Sequence, residues 1–264
     1  MKRLIAVLAV LMMVMSMVCF AEPADDQAYI KEKGKMVIGI TEYAPMNYYD
    51  ESGTLIGFDT EFAQALCAKM GVEAEFVVID WSTKEIELQA KSIDSIWNGL
   101  TITEERKENM SFSKPYMENK QVVVIRKADA EKYADLAGIA TGALVAEEGS
   151  AGETAILEDA TLSGATYTPI ANMAGCLMEI KAGTADAAVL DVVMANAMVG
   201  EGTDYDDLMI VDGIELAVEE YAIGFRLDSN MAAAADAIID ELYADGTLAA
   251  LAEKYDLTAM LIAD

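Results

Sequence analysis

The chemistry on offer is concentrated at the ends of apolar runs. In "SIWNGLTITEER", Ser95 to Arg106, a strand-like stretch gives way to Asn98-Gly99. Thr101 and Thr103, then Glu104, Glu105 and Arg106, follow. Thr103 suits a helix N-cap, and the two glutamates suit the positive end of a helix dipole. A cation does not, so Arg106 stands in an unfavourable turn. It is either a solvated arginine reaching back from a helix start or a fork that holds a carboxylate through two parallel hydrogen bonds. In the second case the Thr101 hydroxyl and nearby backbone N–H groups complete an anion site.

Asp191 closes the run "DAAVL" and opens a helix-like segment. It reads as an ordinary N-cap or as an acceptor for an ammonium group. An anion holder and a cation holder, each at a strand end, fit a zwitterion, and an α-amino acid is the simplest one. Tyr43, in "GITEYAPMNYYD", and Trp81, in "VVIDW", also follow apolar runs. They read as core packing or as walls of the same pocket. Ser150, in "EEGSAGETAI", reads as a cap, or as the start of a helix whose first N–H groups face an anion.

The composition narrows the chemistry further. The chain has 264 residues, a formal net charge of −28 and 54% hydrophobic residues. It is too apolar for a disordered acidic tail and too acidic for a nucleic-acid partner. There is no histidine, which removes the Ser-His-Asp and Cys-His nucleophile systems and the commonest metal ligand. The acidic loop "EGTDYDDL", 201–208, lacks the glycine and terminal glutamate of a calcium loop. No cofactor or metal is expected.

The N-terminus has Lys2 and Arg3, an uncharged apolar run from Leu4 to Phe20, then Ala21 and an acidic segment. The run is shorter than the ~20 residues of a membrane span and has the plan of a secretory leader, residues 1–21. Cys19 leaves a lipid-anchored form as the alternative, with Val18 a poor residue for that signal. Export leaves Cys67 and Cys176, read as two buried thiols.

Strands and helices must position these residues. "MVIGI" (36–40), "EAEFVVI" and 94–97 read as strands. "FDTEFAQALCAKMG" reads as a helix with Phe58, Phe62, Ala65 and Leu66 on one face and Gly71 as its cap. Further helices are expected near 83–90 and from Thr103. The continuous Phe76–Ile79 run points to a strand buried on both faces. "ATYTPI", "NMAGCLMEIKAG", "DAAVL" and "NMAAAADAIIDELYADG" repeat the alternation, the last with Met231, Ala235, Ile238 and Leu242 on one stripe. This rhythm predicts an α/β protein with parallel sheets. "KSIDSIWNGLTITEER" and "AGTADAAVLDVVMANAM" share a plan of turn, aspartate (Asp94, Asp186), short apolar strand, polar residue and helix. Two such strand ends can face each other across a cleft.

At this level of detail the chain resembles the extracytoplasmic solute-binding proteins of ABC importers, in the group that binds polar amino acids (family 3). "VIGITEYAPMNYYDESGTLIGFDTEFAQAL", "IDSIWNGLTITEERKENMSFSKPY", "EEGSAGETA", "GTADAAVLD" and "YAIGFRLDSN…LYADGTLAALAEKY" follow the family's order. The resemblance implies a periplasmic-binding-protein-like fold of type II: two α/β lobes joined by two hinge crossings, with the ligand cleft between them. Lobe one would hold 30–119 plus 221–264 and lobe two 120–220, with crossings near "ENKQVV" and "VEEYAI". It implies Arg106 on the ligand α-carboxylate and Asp191 on the α-ammonium. Thr101 and the Gly99 backbone would be partners of both groups. Tyr43 would cover the ligand and Trp81 touch its side chain, while Ser150 and Ala151 form the second lobe's carboxylate-binding loop. Ala151 lacks the hydroxyl often found there and offers only its N–H. Glu42, Trp81 and Trp97 are the expected side-chain pocket. The implied partners are an amino acid and a membrane permease, the implied state an extracytoplasmic monomer without enzymatic activity. The alternative on the same fold is a periplasmic dehydratase acting on prephenate or arogenate, with Glu42, Glu61 or Glu153 as its general acid.

Overall fold

The computed structural model describes residues 25–262. The leader and Cys19 lie outside the described residues. The chain runs β1 (Lys35–Ile40), the hairpin β2 (Tyr48–Tyr49) and β3 (Leu55–Ile56), then β4 (Glu73–Val78), β5 (Ser95–Ile96) and β6 (Met110–Phe112). After these come β7 (Met117–Arg126), β8 (Ala143–Glu147), β9 (Thr166–Ile170), β10 (Ala187–Asp191), β11 (Leu208–Tyr221) and β12 (Gly224–Arg226). They form two five-stranded sheets, ordered β4-β1-β5-β12-β6 and β11-β7-β10-β8-β9.

Each sheet has a parallel heart, because helices return the chain between its strands. β1 is parallel to β4 and β5, and β8 is parallel to β9 and β10. The helix Phe58–Met70 makes one such return. It buries Phe58, Phe62, Ala63, Leu66 and Met70, and Gly71, at φ 75°, ends it by donating its N–H to the Cys67 and Ala68 carbonyls. Ala63, not Ala65, completes the buried stripe. The helix Met173–Ala182 is built alike, with Asn172 capping its start and Gly183 its end. In the helix Met231–Ala244 the buried stripe is Met231, Ala235, Ile239 and Leu242, with Ile238 only partly buried.

The sheets are mixed rather than purely parallel. β12 is antiparallel to β5 and β6, and β7 is antiparallel to β10 and β11. The chain leaves the first sheet into β7 and returns to it from β11. The two crossing strands are therefore one antiparallel ribbon, with Met117 opposite Tyr221 and Asn119 opposite Glu219. Alternation along β7 buries Asn119 and Gln121 and leaves Glu118 exposed, so the ribbon carries polar side chains into the interior. β4 also departs from expectation. It is an edge strand, with Val78 57% exposed, because no element among the described residues covers its outer face.

The largest buried cluster includes Phe58, Phe62, Trp97, Tyr116, Tyr221 and Phe225. A second, made of Val123, Ile125, Tyr133, Leu144 and Ile156, fills the far side of the second sheet. Cys67 and Cys176 are free and buried, and burial raises both thiol pKa values, Cys67 to about 12.

Candidate ligand site between the sheets

Thr103 is extended and its hydroxyl accepts the Arg106 N–H at 3.1 Å, which starts the short helix Glu104–Lys107. That cap fixes the Arg106 backbone while its side chain folds back under the turn. Nη1 donates to the Thr101 carbonyl at 2.8 Å and Nη2 to the Gly149 carbonyl at 3.1 Å. The guanidinium is buried, at 8% exposure. The described arginine ion pairs belong to Arg126 and Arg226. Arg106 bonds backbone carbonyls instead and keeps donors for an anion. Burial lowers its pKa, opposed by the fields of Glu219, Glu85 and Asp191, and a guanidinium stays charged regardless.

Asp191 ends β10, and its side chain does not cap the helix Val192–Met198 that follows. Its Oδ1 accepts instead from the amides of Asn119 and, at 2.7 Å, Gln121. The same two amides bind Glu219 Oε1, at 3.0 and 2.5 Å. The ribbon thus holds two carboxylates side by side in the interior. Burial raises the pKa of both, and the Glu219 charge raises that of Asp191 further. A cation beside Asp191 would relieve that strain.

Asn98 shapes the turn after β5. Its Oδ1 accepts from the Thr41 N–H and hydroxyl, and its Nδ2 donates to Asn47 and the Thr41 carbonyl. Gly99 follows at φ 59°, where an ideal Cβ would lie 2.5 Å from a ring carbon of Tyr43 and 3.1 Å from one of Tyr221. Only glycine lets the two tyrosines close over this turn, and their hydroxyls meet at 2.6 Å. The Gly99 N–H is already donated to Asp59 at 2.7 Å, so Gly99 can offer a ligand its carbonyl oxygen rather than its N–H.

On the opposing lip, Ser150 caps the helix Ala151–Glu158 by accepting the Glu153 N–H at 3.1 Å. The Ala151 N–H is among the first-turn donors that a helix leaves without an internal acceptor. Trp81 is 5% exposed, with the Lys84 ammonium 4.9 Å from its ring. Lys84 donates to the Trp81 and Gly149 carbonyls, at 3.1 and 3.0 Å. Burial first, then the Arg106 charge, lowers its pKa to about 8.

Tyr43, Trp81, Gly99, Thr101, Arg106, Ser150, Ala151 and Asp191 line one cavity, together with Asn98, Glu147 and Met173. Its free volume is about 10 Å³, about enough for one water. The other expected residues lie elsewhere. Trp97 is buried edge-on against Phe62, 4.8 Å between centroids, and Glu42 is exposed. Glu61 is paired with Lys254, and Glu153 accepts from the Gly149 N–H and the Tyr167 hydroxyl. None of these four lines the cavity.

Sequence reasoning missed three lining residues, Asn98, Met173 and, the one charged residue among them, Glu147. It ends β8 as Asp191 ends β10, 1% exposed. The signal was available: an acidic residue closing an apolar strand, hidden by its reading as prelude to the Ser150 cap.

Two separate sheets thus direct opposite charges into one small cavity, under tyrosine and tryptophan walls. The sequence model of the bacterial extracellular solute-binding proteins, family 3, matches residues 36–258. The chain belongs to that family, and its fold is the two-lobed type II fold. It is 28% identical over 231 residues to the L-cystine-binding protein TcyJ of Escherichia coli (strain K12), covering 86% of this chain and 84% of that protein. Among solved structures it resembles a mutant of ArgBP from T. maritima, with 30% identity, TM-score 0.79 and coverage of 87% and 98%. It also resembles the ancestral amino acid-binding protein AncCDT-1, a precursor of cyclohexadienyl dehydratase, with 27% identity, TM-score 0.77 and coverage of 87% and 99%. No helix among the described residues is long and apolar enough to cross a membrane.

Proposed function

We propose that this chain captures an α-amino acid between its two lobes outside the cytoplasmic membrane and delivers it, as a monomer and without chemical change, to the permease of an ABC importer. The observation that carries this reading is the pairing of Arg106, from the β5 side, with Asp191, from the end of β10, on one cavity. The guanidinium takes the α-carboxylate and Asp191 the α-ammonium. The Thr101 hydroxyl, the Gly99 carbonyl and the Ala151 N–H supply neutral partners, and Ser150 orients the helix start. Tyr43 and Trp81 exclude water, which strengthens each charged contact.

The lobes are 30–119 with 221–264, and 120–220; the leader is residues 1–21. Ligand enters by separation of the lobes about the β7–β11 ribbon, and binding closes them as a hinge. The named relatives and neighbours bind amino acids, which supports transport over dehydration. The three glutamates weighed as a general acid lie off the cavity.

A thermal-shift screen of refolded, ligand-stripped protein against the twenty amino acids, cystine, ornithine, prephenate and arogenate tests the reading. A ligand that binds only the native state raises Tm by mass action. A shift with α-amino acids and none with prephenate or arogenate is the expected outcome. Turnover of prephenate or arogenate overturns it.

A further inference from the structure

The relatives differ in side chain, one being an L-cystine-binding protein, ArgBP from T. maritima being seen arginine-bound and a further solved structure holding histidine, so they do not fix the side chain that this cavity takes. The cavity's own charges do. Arg106 and Asp191 answer the two groups that every α-amino acid shares, and the remaining carboxylate of the lining is Glu147. Its carboxylate receives no hydrogen bond among the described residues, and Oε1 is fully buried without a partner. Leaving a buried acceptor unmet costs free energy that a structural role would not justify. Its neighbours do not meet the need. Lys84 is committed to two backbone carbonyls and Arg106 to two others. Asp191 Oδ1 and Glu219 Oε1 are tied to Asn119 and Gln121, and Glu219, whose Oε2 is also buried without a partner, does not line the cavity.

We propose that Glu147 is the specificity-determining residue of this site and that the ligand is an α-amino acid with a cationic side chain, whose ammonium or guanidinium Glu147 accepts. The inference rests on the function proposed above. Charge balance agrees with it. Among the cavity's lining residues the carboxylates Glu147 and Asp191 outnumber the one cation, Arg106, by one, and a zwitterion with one extra positive charge restores neutrality. Burial, and after it the Asp191 charge, pushes the Glu147 carboxyl up to about 8, with Lys84 and Arg106 opposing and Asp80 reinforcing. Near neutral pH the ligand-free carboxyl therefore holds a proton. An arriving cation requires the ionised form, so binding expels that proton.

Isothermal titration of the wild type and Glu147→Gln compares L-arginine with L-citrulline, and L-lysine with L-norleucine. Each pair shares a shape and differs in side-chain charge. The wild type should bind the cationic member at least ~30-fold more tightly. Glu147→Gln should lose most of that preference, ~10-fold or more, chiefly through weaker binding of the cationic member. Repeating the arginine titration at pH 7 in two buffers of different ionisation enthalpy should show more proton release from the wild type than from Glu147→Gln. A merely structural glutamate would not produce that difference. A wild type that prefers the neutral members, or a variant that keeps the full preference, overturns the inference and leaves the proposed function standing. A wild type that binds no α-amino acid overturns the proposed function itself. If the variant fails to fold, the wild-type preference within each pair and its proton release decide the matter.

Discussion

The two sheets begin their cleft strands alike and end them in opposite ways. Ahead of β5, Asp94 accepts the Val37 N–H at 2.8 Å and pairs with Lys33 and Arg226. Ahead of β10, Asp186 accepts the Ala143 N–H at 2.9 Å and pairs with Arg126. Both are brackets that tie a strand to its neighbour. The Asp94 side chain is fully buried and that of Asp186 is 31% exposed. At the other end, β5 leads into glycine, threonine and Arg106, whereas β10 ends on Asp191. The shared feature belongs to the scaffold, and the contrast marks where function has been placed. Repetition within one chain thus separates the structural aspartates from the one that lines the cavity.

The comparison breaks most visibly at Arg106. Arg106→Ala should lose at least ~100-fold in amino-acid affinity by calorimetry, since removing one member of a buried charge pair costs about 2–5 kcal/mol. Far-ultraviolet circular dichroism should stay native. Near-wild-type affinity in the folded variant would reduce Arg106 to a structural role.

The brackets should separate next. Asp94→Asn leaves Arg226 short of one buried partner and should cost about 3 kcal/mol. Asp186→Asn acts at a partly exposed pair and should cost at most about 1 kcal/mol. Urea midpoints of the two variants test the ordering, and equal losses would mean that burial does not separate them.

Stability against pH sharpens the other end. Asp59, near 7, and Glu147, near 8, have carboxyl pKa values raised by burial. A raised carboxyl contributes stability that is fully present below its unfolded value, near 4, and lost as pH rises through its folded value. The ligand-free Tm should therefore fall between pH 5 and 8, and Glu147→Gln should flatten the fall. A wild-type Tm that rises across this window would contradict the burial account.

The smallest effect is expected at Trp81. Trp81→Phe keeps an aromatic wall and should weaken binding less than ~10-fold, much of it through the lost contact with Lys84. A loss as large as that of Arg106→Ala would make the wall a principal determinant.

Much of this was legible before any coordinates. Hydrophobic periodicity located the helix Phe58–Met70 and its glycine cap, and the repeated aspartate–strand–helix plan paired Arg106 with Asp191. The resemblance placed the crossings near "ENKQVV" and "VEEYAI", within β7 and at the end of β11, but their antiparallel pairing was not legible, because a strand's partner is not written in its own residues. The exposure of β4 was hidden for a similar reason. A continuous apolar run records composition, not what covers it. Glu147 was missed because sequence does not say which acidic residue of "EEGS" turns inward. The Gly99 backbone was read as a partner of both ligand groups, and only coordinates show that Asp59 claims its N–H.

The chain has two tryptophans, and the fold gives them separate duties. Trp81 lines the cleft beneath an ammonium, while Trp97 is sealed in the core. Intrinsic emission is therefore a ready-made ratiometric signal. Under the proposed function one indole should respond to cleft occupancy and the other serve as an internal reference, so closure should be traceable in real time without a label.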